Sequence, residues 1–219
     1  MRLYNYWRSS ASWRVRIALA HKGIAYEYVA VNLIREGGEQ KRDDYRARNP
    51  MMQVPTLEWD DGGLTRSLGQ SVAILEYLEE RFLDAPLLPR DPYLRAKVRQ
   101  LVEVVNSGVQ PLQNLEPQRY VREELKGDAT AWTRYFIERG MAALEALAKE
   151  TAGRYLVGDT VTLADACLVP QMFATRRFAG SVDAFPTLLR VERNCAELPS
   201  FQAAVPERQP DAPPPEAKP

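Results

Sequence analysis

Apolar and polar positions alternate through Leu3, Tyr4, Asn5 and Tyr6, and again along a Tyr- and Val-rich stretch from Tyr26 to Leu33, which is the pattern of two strands. The segment between them reads as a helix stopped by Gly23. Strand, helix and strand with a short first connection predict a βαβ unit, parallel and right-handed. Residues 37–48 are polar, helical or loose. Val54-Pro55-Thr56-Leu57-Glu58-Trp59, the turn Asp60-Asp61-Gly62-Gly63 and Leu64 to Leu68 predict a hairpin. Ser71 is then expected to cap a helix carrying Val72, Ile74, Leu75, Leu78 and Phe82. The order β-α-β-α-β-β-α is a thioredoxin-like layout.

The pattern changes at residues 84–92, where Pro86, Pro89 and Pro92 forbid a continuing helix and predict a short stiff linker. Beyond it the period is helical throughout: Leu94, Val98, Leu101, Val102, Val105 and Val109 form one stripe, and Trp132, Phe136, Met141, Leu144 and Leu147 another. Thr162-Leu163-Ala164-Asp165 has the form of a capping box, read as helix nucleation alone. The expected organisation is α/β followed by all-α. Residues 1–83 form the thioredoxin-like domain, 84–92 a linker and 93–205 an all-helical domain. Residues 206–219, with prolines at 206, 210, 213, 214, 215 and 219, form a loosely ordered tail.

Composition narrows the function classes. With 29 basic and 29 acidic residues the net charge is zero, so nothing favours nucleic acid or an anionic membrane, and useful positive charge must be local. No apolar run approaches the roughly 20 residues that span a bilayer, and the strand-like start has no leader pattern, so a cytoplasmic protein is expected. Cys167 and Cys195 fall in helical segments and read as buried free thiols. A single histidine, His21, argues against a His-based metal cluster.

The chemistry concentrates where the first strand passes through a hydroxyl-rich turn into the first helix, Tyr6-Trp7-Arg8-Ser9-Ser10-Ala11-Ser12-Trp13. A helix N-terminus offers unpaired N–H groups and partial positive charge, so hydroxyls placed there can hold an anion such as a thiolate. Ser12 is read as the N-cap of a helix starting at Trp13. Val54-Pro55 reads as a strand start whose proline suits a cis peptide and whose Val54 backbone can pair with an extended peptide. Gln70-Ser71 opens another helix, a place suited to a carboxylate or to a plain cap. Gln110 and Asn114 are four apart on one helical face, with Pro111 expected to kink that helix.

The turn, together with Asn49-Pro50, Gln53-Val54-Pro55-Thr56-Leu57, Gln70-Ser71, Gln110 to Leu115, Val157-Gly158-Asp159, Leu168-Val169-Pro170-Gln171 and Arg208-Gln209-Pro210-Asp211, resembles the zeta-class glutathione transferases, the maleylacetoacetate isomerase family, in order and spacing over essentially the whole chain. The family turn reads Ser-Ser-Cys, whereas this chain has Ala11 in place of the cysteine. The resemblance implies the cytosolic glutathione transferase fold, a homodimer, and glutathione as cofactor. It assigns Ser9 and Ser10 as catalytic and Ser9, Ser10, Ala11, Gln40, Val54, Pro55, Gln70, Ser71, Gln110 and Asn114 to glutathione binding. Arg8 and Arg177 are assigned to the substrate carboxylates, with Arg176 solvent-facing and no metal. The implied activity is glutathione-dependent isomerisation of maleylacetoacetate to fumarylacetoacetate in tyrosine and phenylalanine breakdown. Maleylpyruvate isomerisation, transfer to α-halo acids and a non-catalytic binding role stand as alternatives.

Overall fold

Strand β1 (Arg2–Asn5) pairs in parallel with β2 (Glu27–Ala30) and antiparallel with β3 (Thr56–Asp61), which turns at Gly62-Gly63 into β4 (Leu64–Gly69). The sheet order is therefore β2-β1-β3-β4. These assignments come from a computed structural model that describes residues 1–214. Helix α1 (Ser10–His21) crosses between the parallel strands, α2 (Asp43–Arg48) follows two short 3₁₀ turns, and α3 (Ser71–Arg81) closes the expected βαβαββα order. The residues of α1 from Ser12 to Leu19 are all buried, so the helix is a core element with little amphipathic contrast.

The chain divides into two compact units, Met1–Pro86 with the stretch from Pro199, and Leu87–Leu198. The division falls inside the predicted proline-rich linker. The second unit is helical: α4 (Pro92–Asn106), α5 (Leu115–Glu123), α6 (Ala129–Thr151), α7 (Leu163–Ala179) and α8 (Pro186–Ala196). Val98, Leu101, Val102 and Val105 of the first stripe are buried as expected, while Leu94 at the helix start is 37% exposed. In α6, Met141 and Leu144 reach the core together with Ile137. Asp165 completes the capping box of α7 and also accepts the N–H of Leu156 at 2.9 Å. No helix among the described residues is long and apolar enough to cross a membrane.

Two expectations need correction. Pro111 does not kink a continuous helix: α4 ends at Asn106, and Gln110–Gln113 form a separate 3₁₀ turn before α5. Proline's missing N–H and fixed φ suit its place as the second residue of such a turn, where the N–H has no partner within the turn. The stretch from Pro199 belongs to the first unit, not the helical one, and its part up to residue 214 is not a loose tail. Helix α9 (Pro199–Ala204) buries Phe201 and Ala204, a 3₁₀ turn follows at Pro206–Arg208, and Asp211 is hydrogen-bonded to two residues of the first unit. The rest of the proline-rich tail, residues 215–219, lies outside the described residues.

Candidate active site

The strand directions place the C-terminal ends of β1, β2 and β4 and the N-terminal end of β3 at one end of the sheet. That end receives the β1–α1 turn with Ser9, the loop after β2 with Gln40, the Val54–Pro55 peptide and Gln70–Ser71. Tyr6, Val31, Tyr45 and Val54 form one buried cluster there, with Tyr4, Trp7 and Leu33 packed against it. The first-unit residues singled out in the sequence are thus brought to one place.

At the turn, Ser9 is the N-cap: its backbone is extended, and its Oγ accepts the N–H of Ser12 at 3.2 Å. The expected cap, Ser12, instead lies inside the first turn, fully buried. The N–H of Ser9 goes to Tyr6 and that of Trp13 to the carbonyl of Ser9, which leaves the N–H groups of Ser10 and Ala11 at the open end of α1. A hydroxyl that accepts from the backbone keeps its own proton to donate outward, beside those two N–H groups and the positive helix terminus. Arg8 is half-buried, with its guanidinium carbon 5.3 Å from the centre of the Trp7 ring.

The Val54–Pro55 peptide is cis. The β ladder begins one residue further on, at Thr56, paired with Tyr4 on one side and Gly69 on the other. The Gln53 carbonyl accepts the Tyr45 hydroxyl at 2.7 Å and the Asn49 side-chain amide at 2.8 Å. Tyr45 and Asn49 also reach Thr56 Oγ1, at 3.0 and 3.2 Å, so both flanks of the cis peptide are fixed. Burial pushes the Tyr45 hydroxyl up to about 12, so it stays neutral.

At the third corner, Gln70 rather than Ser71 precedes the helix, with φ 65°, a left-handed conformation uncommon for a residue with a side chain. Ser71 is the first residue of α3 and is buried; its Oγ accepts Nη1 of Arg14 at 3.2 Å. This bond ties α1 to the start of α3. Gln40 sits in the 3₁₀ turn Glu39–Lys41 with its Oε1 buried and without a partner among the described residues. Gly38 leaves room for it: a Cβ there would meet Gln40 Nε2 at 2.5 Å. An anion-favouring helix end, a hydroxyl, a cis peptide just ahead of the ladder and an unmatched amide oxygen together suit a small extended peptide that carries a thiol and a free carboxylate.

In the second unit, Gln110 donates to Asn114 Oδ1 at 2.8 Å, across a 3₁₀ turn and not along an α-helical face. That turn is anchored by the amide pair of Gln113 and Gln171, which exchange hydrogen bonds at 3.2 and 2.9 Å in the buried interior. Arg177 is exposed near the end of α7, its guanidinium 5.0 Å from the centre of the Phe178 ring. Arg176 is also exposed but held by Glu192, with Nη1 to Oε1 at 2.6 Å and Nη2 to Oε2. Both cysteines are buried, and burial raises the Cys195 thiol well above its ordinary range. Among the described residues no cluster suited to a metal ion occurs. Sequence reasoning missed Arg14, Arg16, Tyr45 and Asn49 as shapers of the site. The signal for the arginines was two charges two residues apart within the apolar run Trp13 to Leu19, where a buried helix must take at least one inside.

A thioredoxin-like sheet whose first helix opens on serines, in a chain that continues into an all-helical unit, defines the class of soluble glutathione transferases. The family models for the glutathione S-transferase N-terminal and C-terminal domains match residues 8–81 and 118–205. The chain is 49% identical to probable maleylacetoacetate isomerase 2 of Drosophila melanogaster over 97% of this chain and 90% of that protein. Its structure is similar to that of maleylacetoacetate isomerase from Anaeromyxobacter dehalogenans with glutathione bound in the active site, with TM-score 0.89 and 54% identity over 97% of each chain. Another structure of that relative holds dicarboxyethyl glutathione and citrate. A bacterial maleyl pyruvate isomerase of the zeta class is 42% identical, with TM-score 0.90 over 97% of this chain and 100% of that one. The chain belongs to the zeta-class glutathione transferase, or maleylacetoacetate isomerase, family.

Proposed function

We propose that the protein is a glutathione-dependent cis–trans isomerase that converts maleylacetoacetate to fumarylacetoacetate in tyrosine and phenylalanine breakdown. The observation that carries this reading is the Ser9-capped N-terminus of α1, in a chain that matches a maleylacetoacetate isomerase over 97% of its length. When bound, glutathione supplies a thiolate that adds to the maleyl double bond and leaves again, so that the bond is single in between and free to rotate.

The residues of this chain do the rest. Ser9 donates its hydroxyl proton to the sulfur, supported by the N–H groups of Ser10 and Ala11. Lowering a thiol from about 8.5 by about two units takes roughly 2.7 kcal/mol of preferential thiolate stabilisation, within reach of a charge-assisted hydrogen bond at a helix terminus. The backbone of Val54, beside Pro55, pairs with the peptide, and Gln70 and Ser71 at the start of α3 take its free carboxylate. Gln40 takes an N–H at its unmatched Oε1. In the helical unit Gln110 and Asn114 supply amides, and Arg8 and Arg177 supply the forked donors that suit substrate carboxylates. Ala11 removes any possibility of a mixed disulfide at that position, and the scheme asks for no protein thiol. The protein acts as a cytoplasmic homodimer on this reading.

Maleylpyruvate is the second reading, favoured by the similarity to a maleyl pyruvate isomerase. The rate of cis-to-trans conversion of maleylacetone, measured beside maleylpyruvate with and without glutathione, separates the two. Faster, strictly glutathione-dependent conversion of maleylacetone supports the first. A large preference for maleylpyruvate moves the substrate, and no turnover of either moves the function to α-halo acid transfer or to binding alone.

A further inference from the structure

The backbone of Trp7, two residues ahead of Ser9, is held at both its N–H and its carbonyl. Its N–H donates to Oδ2 of Asp211 at 3.1 Å, across 204 residues of chain. Its carbonyl accepts Nη2 of Arg16 at 2.8 Å. Asp211 is itself fixed through Oδ1, which accepts the hydroxyl of Tyr28 on β2. Arg16 is fixed by Asn5 Oδ1 at 3.1 Å, by the Tyr6 carbonyl at 3.3 Å, and by the Ala204 carbonyl of α9 from Nε and Nη2 at 3.2 and 3.1 Å. Both anchors of the turn therefore depend on the C-terminal segment. Asp211 faces Tyr28 of β2 and Arg16 of α1, and Tyr26, on the approach to β2, interacts with both of those groups. Burial lowers the Arg16 guanidinium to about 10, with Asp211 opposing that shift.

A carboxylate that holds the backbone before a cap residue sets where the cap's hydroxyl points. We propose that Asp211 is a positioning residue for the turn that carries Ser9: by fixing the Trp7 N–H against Tyr28, the C-terminal segment keeps the Ser9 hydroxyl in register with the open end of α1. The inference rests on the reading of Ser9 as the partner of the glutathione sulfur. A displacement of about 1 Å at such a group costs roughly 100-fold in rate, so a rigid turn is what this chemistry demands.

The direction of the effect separates positioning from charge. Removing a carboxylate near a thiolate site lowers the thiol pKa if only charge matters, whereas letting Ser9 drift raises it. Bound glutathione in the full-length protein is titrated by thiolate absorbance, and kcat and KM are measured with maleylacetone, for wild type, Asp211→Ala, Asp211→Asn and Tyr28→Phe. Asp211→Ala is expected to raise the thiol midpoint by about one unit towards the free value and to lower kcat by about tenfold or more, with KM for glutathione changed less than about threefold. Asp211→Asn keeps both contacts, its Oδ1 accepting from Trp7 and its Nδ2 donating to the Tyr28 oxygen, and restores most of both. Tyr28→Phe, which retains the Trp7 bond, shifts the midpoint upward by less, and serves where the alanine variant does not fold. An unchanged or lowered midpoint in folded Asp211→Ala or Tyr28→Phe, with the loss confined to thermal stability, overturns the inference while leaving Ser9 its role. A wild-type midpoint at the free-thiol value overturns both.

Discussion

Ser9 is the helix cap and, under the proposed function, also the donor to the glutathione sulfur, which would join stability to chemistry in one side chain. Ser9→Ala is expected to cost about 1 kcal/mol of stability from the lost cap. It should also lower kcat/KM about 100-fold, in the range found for removal of one donor to a developing anion. Urea unfolding and maleylacetone kinetics on the same preparation check both; full activity in a destabilised variant would leave Ser9 only the cap. The sequence showed three serines, at 9, 10 and 12, each a competent cap, and no local rule chose between them. The choice is made by burial. Ser12 lies fully buried in a helix whose residues from Ser12 to Leu19 are all buried, which leaves the cap to Ser9. Gln70 was similarly hidden, because its left-handed φ is imposed by the way β4 must turn into α3 and not by its own preference.

Among the elements, α7 depends on a buried acid. Asp165 accepts the N–H groups of Thr162 and Leu156 and the Thr162 hydroxyl, which pull its pKa down, yet burial dominates and pushes it up from 3.8 to about 6. Between about pH 4 and pH 6 the folded carboxyl holds a proton that the unfolded chain has released, so its contribution to stability falls as pH rises through that window and is level above it. Asparagine does not titrate, so the wild type should lose up to about 2–3 kcal/mol relative to Asp165→Asn between pH 4 and pH 7. Chemical denaturation at the two pH values measures this, and a pH-independent difference contradicts it. The helices of the second unit were legible from their period of 3.6, whereas α1, buried from Ser12 to Leu19, was legible from the strands on either side of it and its Gly23 stop. Where the reading failed, at Pro111, a local breaker had two outcomes, a kink or a new turn. The Gln113–Gln171 amide pair, 58 residues apart in sequence, favoured the turn.

Across the whole molecule, the chain joins two units of different construction, an α/β unit that holds Ser9 and a helical unit that holds Arg177. Arg177→Ala is expected to raise KM about tenfold for a dicarboxylate maleyl substrate and to leave a neutral electrophile nearly unchanged, since one forked ion pair is worth about 1.5 kcal/mol or more. Equal effects on both substrates would remove Arg177 as a carboxylate anchor. The α/β-then-α order was readable from sequence, but the return of the C-terminal segment to the first unit was not. A proline-rich stretch carries no periodic signal, and the bonds of Asp211 and Ala204 to β1–α1 residues span 204 and 188 positions, beyond any local pattern.

An isomerase of the proposed kind uses glutathione and returns it. Maleylacetone in large excess over glutathione, followed by proton NMR with the enzyme present, tests this directly. Each glutathione is expected to support many conversions to the fumaryl isomer and to be recovered unchanged. One glutathione consumed per product, or conversion that proceeds equally well without it, would rule out such an isomerase.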